Sequence, residues 1–218
     1  MSGRVDRRTE LTRTHRLPAG VPAVVQVSRW DRLKDPGGVL EAFSRLVAGA
    51  TSAHLVLAGP STAAVSDDPE GAAVLAEVAR LREAAPAGVR ERIHLLSLPM
   101  DDVAENAAIV NALQRRADVI VQNSLAEGFG LTVAEAMWKA KPVVARRVGG
   151  IREQIDDGDT GLLVEPGDQG GFADAVIGLL ADPAAAEQMG RRAREAVRDR
   201  FLGPSHLRKY VDLFERLL

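Results

Sequence analysis

The stretch 118-DVIVQNSLAEGFGLTVAEAMWKAKPVVAR-146 decides the fold. It opens on a short apolar run, 118-DVIVQNS-124, and crosses a loop that carries Gly128 and Gly130. It then continues as 130-GLTVAEAMWKA-140, apolar at three- and four-residue intervals, and ends on a second apolar run, 142-PVVAR-146. Short runs rich in Val and Ile read as buried strands, and the periodic segment between them reads as an amphipathic helix. Two strands joined through a helix are parallel.

The same alternation extends in both directions. Runs 23-AVVQVS-28, 54-HLVLAG-59, 92-RIHLLSL-98 and 161-GLLVEP-166 complete a set of about six strands. Segments 36–49, 72–84, 103–117 and 171–181 carry the helical period. The expected class is α/β, a Rossmann-like, doubly wound parallel sheet with helices on both faces. Two further helical segments close the chain, 183–201 and 204–218, with Pro183 and Pro204 at their starts. The expected organisation is a tail or interdomain linker over 1–20, a Rossmann-like domain over 21–182 and C-terminal helices over 183–218. In the last helix Leu207, Tyr210, Val211, Phe214, Leu217 and Leu218 form an apolar stripe.

Composition removes several classes of function. The chain has 218 residues, 46% of them hydrophobic, which is enough for a well-buried core. A net charge of -2 leaves no global field to attract nucleic acid or an anionic membrane, so any anion site must be local. Without cysteine there is no disulfide framework, thiolate zinc site or thiol nucleophile, and the default compartment is the cytoplasm. The Arg-rich N-terminus lacks the apolar core of a signal peptide, and no stretch is long and apolar enough to span a bilayer.

Open α/β sheets bind ligands at the carboxyl ends of their strands, so the residues that follow each run are the candidates. Arg29 and Lys34 follow the first, Gly59 to Thr62 the second and Ser97 the third. The Glu127 loop follows the fourth, and 147-RVGGI-151 the fifth. A guanidinium and an ammonium together can hold a diphosphate. Only four of the 28 basic residues are lysine, which makes Lys34 more conspicuous than a basic loop alone would be. Glycines at 128 and 130 imply close backbone approach or positive φ. Phe129, Leu131 and Thr132 open the helix that follows, where backbone N–H groups can meet phosphate oxygens or sugar hydroxyls. Glu127 and Glu135, with seven residues between them, can accept hydrogen bonds from vicinal hydroxyls: a hexose at Glu127 and a ribose at Glu135. Each glutamate also has a plainer reading, favoured near a helix start by the dipole or simply facing solvent.

Other features carry less. Asp67 and Asp68 read as a turn before a helix as readily as a metal site. His54 and His94 fall in strands, G-x-S-x-G is absent, 158-GDTG-161 reads as a turn and Trp138 as helix packing.

The stretch 122-QNSLAEGFGLTVAEAMWKAKPVVARRVGGIREQIDDGDTGLLVEP-166 resembles the donor-binding half of the retaining glycosyltransferases of family 4, which have the two-domain GT-B fold and a recurrent E-x7-E donor motif. QVSRWDRLKDPGGVLEAF, DDPEG, NALQRRADVIVQ and EAMWK are most similar to its trehalose synthase branch, which moves glucose from NDP-glucose, such as UDP-glucose, to free glucose. The resemblance runs from about Val21 to the C-terminus and implies one half of a GT-B fold. It assigns catalysis to Arg29 and Lys34 on the pyrophosphate and Glu127 on the donor sugar. Donor binding goes to Gly128, Phe129, Gly130, Leu131 and Thr132 by backbone, and to Glu135 on the ribose. It further implies no cofactor and no metal, an acceptor sugar such as glucose, and a partner N-terminal Rossmann-like domain toward which the C-terminal helices pack. Two other readings stay open: a non-catalytic nucleotide-binding module, and a GT-B relative such as a nucleotide-sugar epimerase or phosphorylase. For a pyridoxal-dependent phosphorylase, Lys139 and Lys141 are poorly placed, on and just after a helix.

Overall fold

A computed structural model describes residues 12–13, 17–62 and 69–217 of the chain. Its sheet has seven strands: β1 (Thr12–Arg13), β2 (Ala23–Val27), β3 (His54–Pro60), β4 (Ile93–Leu98), β5 (Val119–Gln122), β6 (Val143–Arg146) and β7 (Leu162–Val164). Each of the six expected runs is one of these strands, and all six are mutually parallel. The seventh, β1, lies inside the stretch read as a tail. It pairs antiparallel with β4, Thr12 opposite Ser97 and Arg13 opposite Leu96.

The strand order is β1-β4-β3-β2-β5-β6-β7. From β2 the chain winds outward through β3 and β4, then returns to the middle and winds the other way through β5, β6 and β7. Succession reverses between β2 and β5, which opens a crevice at their carboxyl ends.

Alternation along each strand divides the core in two. Val24, Leu55, Leu57, Val119, Val121 and Val144 point to one face, covered by α1 (Pro36–Ala42), α3 (Pro69–Ala84) and α8 (Gln169–Ala181). Val25, Val56, Ala58, Ile120, Val143 and Ala145 point to the other. There they meet α5 (Val103–Arg116), α6 (Leu131–Trp138) and α9 (Pro183–Arg200). A π-helical turn, Phe43–Val47, joins α1 to α2 (Ala48–Ala50) in what reads from the sequence as one helix. Two short helices, α4 (Ala87–Arg90) and α7 (Ile151–Gln154), are too brief to show a period.

The C-terminal helices behave differently from one another. Ala186, Met189, Gly190, Ala193 and Val197 of α9 are buried, and a Cβ on Gly190 would stand 2.2 Å from the carbonyl oxygen of Ala140, just beyond α6. That helix is therefore part of the domain's own core and not of a separate C-terminal unit. The following helix, α10 (Gly203–Leu217), keeps Leu207, Tyr210, Val211 and Phe214 between 47% and 67% exposed. Leu218, counted in the apolar stripe, lies outside the described residues.

Behind the crevice a buried polar chain ties the loops together. Arg146, 2% exposed at the end of β6, donates from Nε to Asn123 Oδ1 at 2.6 Å. Asn123 donates from Nδ2 to Asp35 Oδ2 at 2.6 Å. Arg146 Nη1 reaches the carbonyls of Glu165 and Asp168 at 2.6 and 2.9 Å, and its guanidinium lies 5.5 Å from the Phe172 ring centre. Burial raises the Asp35 carboxyl above its usual value, while the Gly38 amide and the Arg146 charge pull it back. Burial likewise lowers Arg146, offset by Asp35 and Asp168. Removing one charge from such a chain strands the other. Arg146→Met is expected to cost about 3–5 kcal/mol of stability in urea unfolding, with Asp35 left without its cation.

Candidate active site

The crevice between β2 and β5 holds an ion pair between Lys34 Nζ and Glu127 Oε2, contributed by residues 93 positions apart. Lys34 gets there through a short 3-10 turn, Arg32–Lys34, capped by Asp31, whose Oδ1 accepts from the Leu33 amide at 2.8 Å. Gln26, a buried glutamine in β2, donates to the Lys34 carbonyl at 3.0 Å. The Leu125 amide donates to the Leu33 carbonyl at 2.7 Å, stitching the loops after β2 and β5 together. Directly after Lys34 the chain takes a left-handed turn at Asp35, φ 46°, which lets that carboxylate cap α1 through the Gly38 amide.

Glu127 is set by a line of hydrogen bonds through the sheet edge. Thr132 Oγ1 donates to Gln122 Oε1 at 3.2 Å, Gln122 Nε2 to Ser124 Oγ at 2.8 Å, and Ser124 Oγ to Glu127 Oε2 at 3.4 Å. Its backbone is held from the loop after β6. The Gly150 amide donates to the carbonyls of Glu127 and Gly128 at 3.2 and 3.0 Å, and Gln154 Nε2 donates to the Phe129 carbonyl.

The glycines divide into two kinds. Gly149, φ +46°, has room for hydrogen alone, since a Cβ there would fall 1.7 Å from the Glu127 carbonyl oxygen. Gly130, φ +85°, precedes α6 and abuts Ile151. Gly128 does not take a left-handed φ, and among the described residues a Cβ there would meet nothing within 4 Å beyond its chain neighbours. Phe129 stands half-exposed, edge-on to Phe201 with ring centres 5.7 Å apart. The amides of Leu131 and Thr132 open α6, where no carbonyl lies one turn earlier to receive them.

Thr132, which starts the bonded line to Glu127, also lines an open cleft of about 340 Å³ with Arg29, Gly59, Met100, Val110 and Glu135, a cleft that neither Lys34 nor Glu127 lines. Glu135 accepts from Gln114 Nε2 at 3.4 Å. Arg29 turns to Asp31 Oδ2 at 2.7 Å. Arg29 and Lys34 are thus not joined in one contact; each carries its own carboxylate, and Arg29 shares its cleft with Glu135. Gly59 is required by packing, because a Cβ would press on the Trp30 ring at 2.6 Å. Ser97 lies within β4, one residue short of the loop, so Met100 and not Ser97 carries that strand's contribution.

Of the remaining features, His54 and His94 face each other at 2.9 Å, Nδ1 to Nε2, near the strands' opposite ends. Lys139 and Lys141 spend their ammonium groups on the carbonyls of Glu135 and Ala117, at 3.4 and 2.8 Å. Trp138 packs under the Arg194 guanidinium, 5.0 Å from its ring centre, and 158–161 is a turn with Gly158 at φ +80°. Asp67 and Asp68 lie outside the described residues. Sequence reasoning passed over Gln26, Gln122, Asn123, Ser124 and Arg146. Their signal is a polar side chain within, or directly after, an otherwise apolar strand.

Residues 7–196 match the family described as Glycosyl transferases group 1. The chain belongs to that family. It is 42% identical over 198 residues to a trehalose synthase of Rubrobacter xylanophilus, covering 90% of this chain and 44% of that protein. Among solved structures, sucrose-phosphate synthase from Thermosynechococcus elongatus superposes with a TM-score of 0.72 at 31% identity, over 92% of this chain and 46% of that one. Anabaena HepE in complex with UDP and glucose shares the fold, with a TM-score of 0.68 at 21% identity over 91% and 49% of the two chains. This group 1 chain thus spans about half the length of the curated relatives it matches. Its parallel sheet is the Rossmann-like half of the GT-B architecture.

The two kinds of glycine should separate in stability measurements on this group 1 domain. Gly149→Ala is expected to lose about 2 kcal/mol or more, from left-handed strain and the clash with Glu127. Gly128→Ala is expected to stay within about 0.5 kcal/mol of wild type, both read from urea midpoints.

Proposed function

We propose that this chain is the donor-binding half of a retaining hexosyltransferase that takes glucose from a nucleoside diphosphate and passes it to a sugar acceptor. One observation carries the reading: Lys34 and Glu127 meet at the switch point of the sheet, and the bonded line from Glu127 ends at Thr132 in the cleft that holds Arg29 and Glu135. Two cations for a diphosphate and two carboxylates for hydroxyls are the chemistry a nucleotide sugar asks for. UDP and glucose in the Anabaena protein of the same fold support the donor class. The relatives named trehalose synthase support glucose as acceptor and trehalose as product.

In this arrangement the nucleoside enters the cleft, its ribose hydroxyls on Glu135 and its base between apolar walls that include Met100 and Val110. Arg29 and Lys34 face the diphosphate. Amides from Gly128 to Thr132 meet phosphate and sugar, and the open space at Gly128 leaves room for them. Glu127 accepts from the hexose. The C1–O bond breaks with its electron pair going to the phosphate, and the acceptor hydroxyl attacks the oxocarbenium-like sugar from the same face, giving up its proton to the departing phosphate oxygen. Cations fixed before the reaction stabilise the charge that grows on that oxygen. Neither glutamate acts as a covalent nucleophile, so the paired-carboxylate scheme of glycosidases does not apply. The chain's own cations do the work that a bound metal does elsewhere, and no cofactor takes part. The acceptor is held by a second, Rossmann-like domain, and the exposed apolar residues of α10 seat against it. The enzyme works in the cytoplasm; no described helix is long and apolar enough to cross a membrane.

Calorimetry with UDP, ADP and GDP in the presence of chelator tests the donor assignment. Binding is expected without divalent metal. Lys34→Ala and Arg29→Ala should each weaken the tightest of the three by about 1.5–3 kcal/mol, with the more exposed Arg29 at the low end. Unchanged affinity in both variants would sink the anion assignment. Glu135→Ala should weaken UDP and UDP-glucose alike, as a ribose contact must.

Transfer to free glucose is expected from a chimera carrying the N-terminal half of the Rubrobacter relative, and not from the 218-residue chain alone. Robust turnover by the chain alone would overturn the half-enzyme reading.

A further inference from the structure

We propose that Glu127 is an internal competitor for Lys34, which weakens the site's hold on a bare nucleoside diphosphate and yields only when a donor sugar is present. The proposal rests on the reading of Lys34 as a phosphate cation, and it adds to Glu127 a role beyond contact with the hexose.

The contact is built into the fold. Lys34 and Glu127 side chains are only 18% and 13% exposed, so water screens their attraction poorly. Arg29 and Asp31 form the contrasting pair, with the arginine 69% exposed, and such a surface pair holds little. Both partners of the inner pair stand on fixed backbone: the Lys34 carbonyl on Gln26, the neighbouring Leu33 carbonyl on the Leu125 amide, and the Glu127 carbonyl on the Gly150 amide. Ser124 donates to the same Oε2 that receives Lys34, which aims that oxygen at the ammonium.

A phosphate therefore finds Lys34 already engaged. A ligand that needs a minor state binds with an apparent affinity reduced by that state's population, so a pair closed nine-tenths of the time raises the apparent Kd about tenfold. A bare diphosphate bears this cost in full, because it offers Glu127 an anion in exchange for a cation. A nucleotide sugar does not, because a hexose hydroxyl can donate to the carboxylate as the ammonium leaves it. Once the hexose has been transferred, the carboxylate loses that donor and turns back to Lys34, loosening the diphosphate at the step where product must depart.

The test is titration calorimetry of UDP and UDP-glucose against the 218-residue chain, as wild type, Glu127→Gln, Glu127→Ala and Lys34→Ala. Both Glu127 variants are expected to bind UDP about tenfold more tightly than wild type, equivalent to about 1.4 kcal/mol. UDP-glucose should gain less or lose, so the preference for the sugar-bearing ligand narrows. A glutamate that merely supports the loop would weaken both ligands when removed. UDP affinity equal to or below wild type in both Glu127 variants, with Lys34→Ala still impaired, would overturn the competitor and leave the donor reading standing. Lys34→Ala binding UDP as wild type does would remove the phosphate role of Lys34, and the competitor with it.

Discussion

The loops that make the site are held by one buried guanidinium. Arg146 leaves the end of β6 and reaches carbonyls after β7, an asparagine after β5 and, through it, the aspartate that starts α1. The end of β6 and the segments that follow β2, β5 and β7 thereby share one set of hydrogen bonds. Arginine suits the position because its planar fork can serve several acceptors at once and stays protonated despite burial. The aspartate at the far end occupies a left-handed conformation that residues other than glycine seldom adopt, and its cap on α1 and its bond from Asn123 hold it there.

Forward of that brace, the fold spends polar groups to aim others. Gln122 and Ser124 contact no bulk solvent and serve to direct Glu127, while Gln26 fixes the backbone from which Lys34 projects. Buried polar side chains of this kind cost desolvation unless they are bonded to one another. Their return is geometric: an ammonium and a carboxylate are kept within reach at the one place where the sheet's winding reverses.

Much of the fold was legible in the sequence because parallel strands are covered on both faces and so read as unbroken apolar runs. The winding helices between them were legible by period, and a single π-helical turn was enough to blur one of them. Strand order was not, since nothing local in 23-AVVQVS-28 says that it lies beside 118-DVIVQNS-124. Thr12–Arg13 escaped notice because two polar residues have no pattern, and their strand exists only by pairing with β4. At the site, glutamates flanking a glycine loop were conspicuous, yet the pairing of Glu127 with Lys34 depends on contacts across the crevice. The need for Gly149 follows from a carbonyl that only the folded chain places against it. The glutamine in β2, the glutamine ending β5 and the arginine ending β6 were readable as anomalies in apolar runs, but their partners were not.

Lysine is scarce in this chain, and two of the four, Lys139 and Lys141, give their ammonium groups to backbone carbonyls. Guanidinium groups supply nearly all the remaining positive charge, and these do not act as nucleophiles at ordinary pH. Amine-directed acylating reagents therefore meet few targets, and Lys34, only 18% exposed and held by Glu127, reacts with them when that pair opens. Mild labelling would report on the crevice itself, with Lys34 shielded or uncovered according to what occupies it. For the same reason, attaching the protein to a surface through its amines would risk blocking the very feature under study.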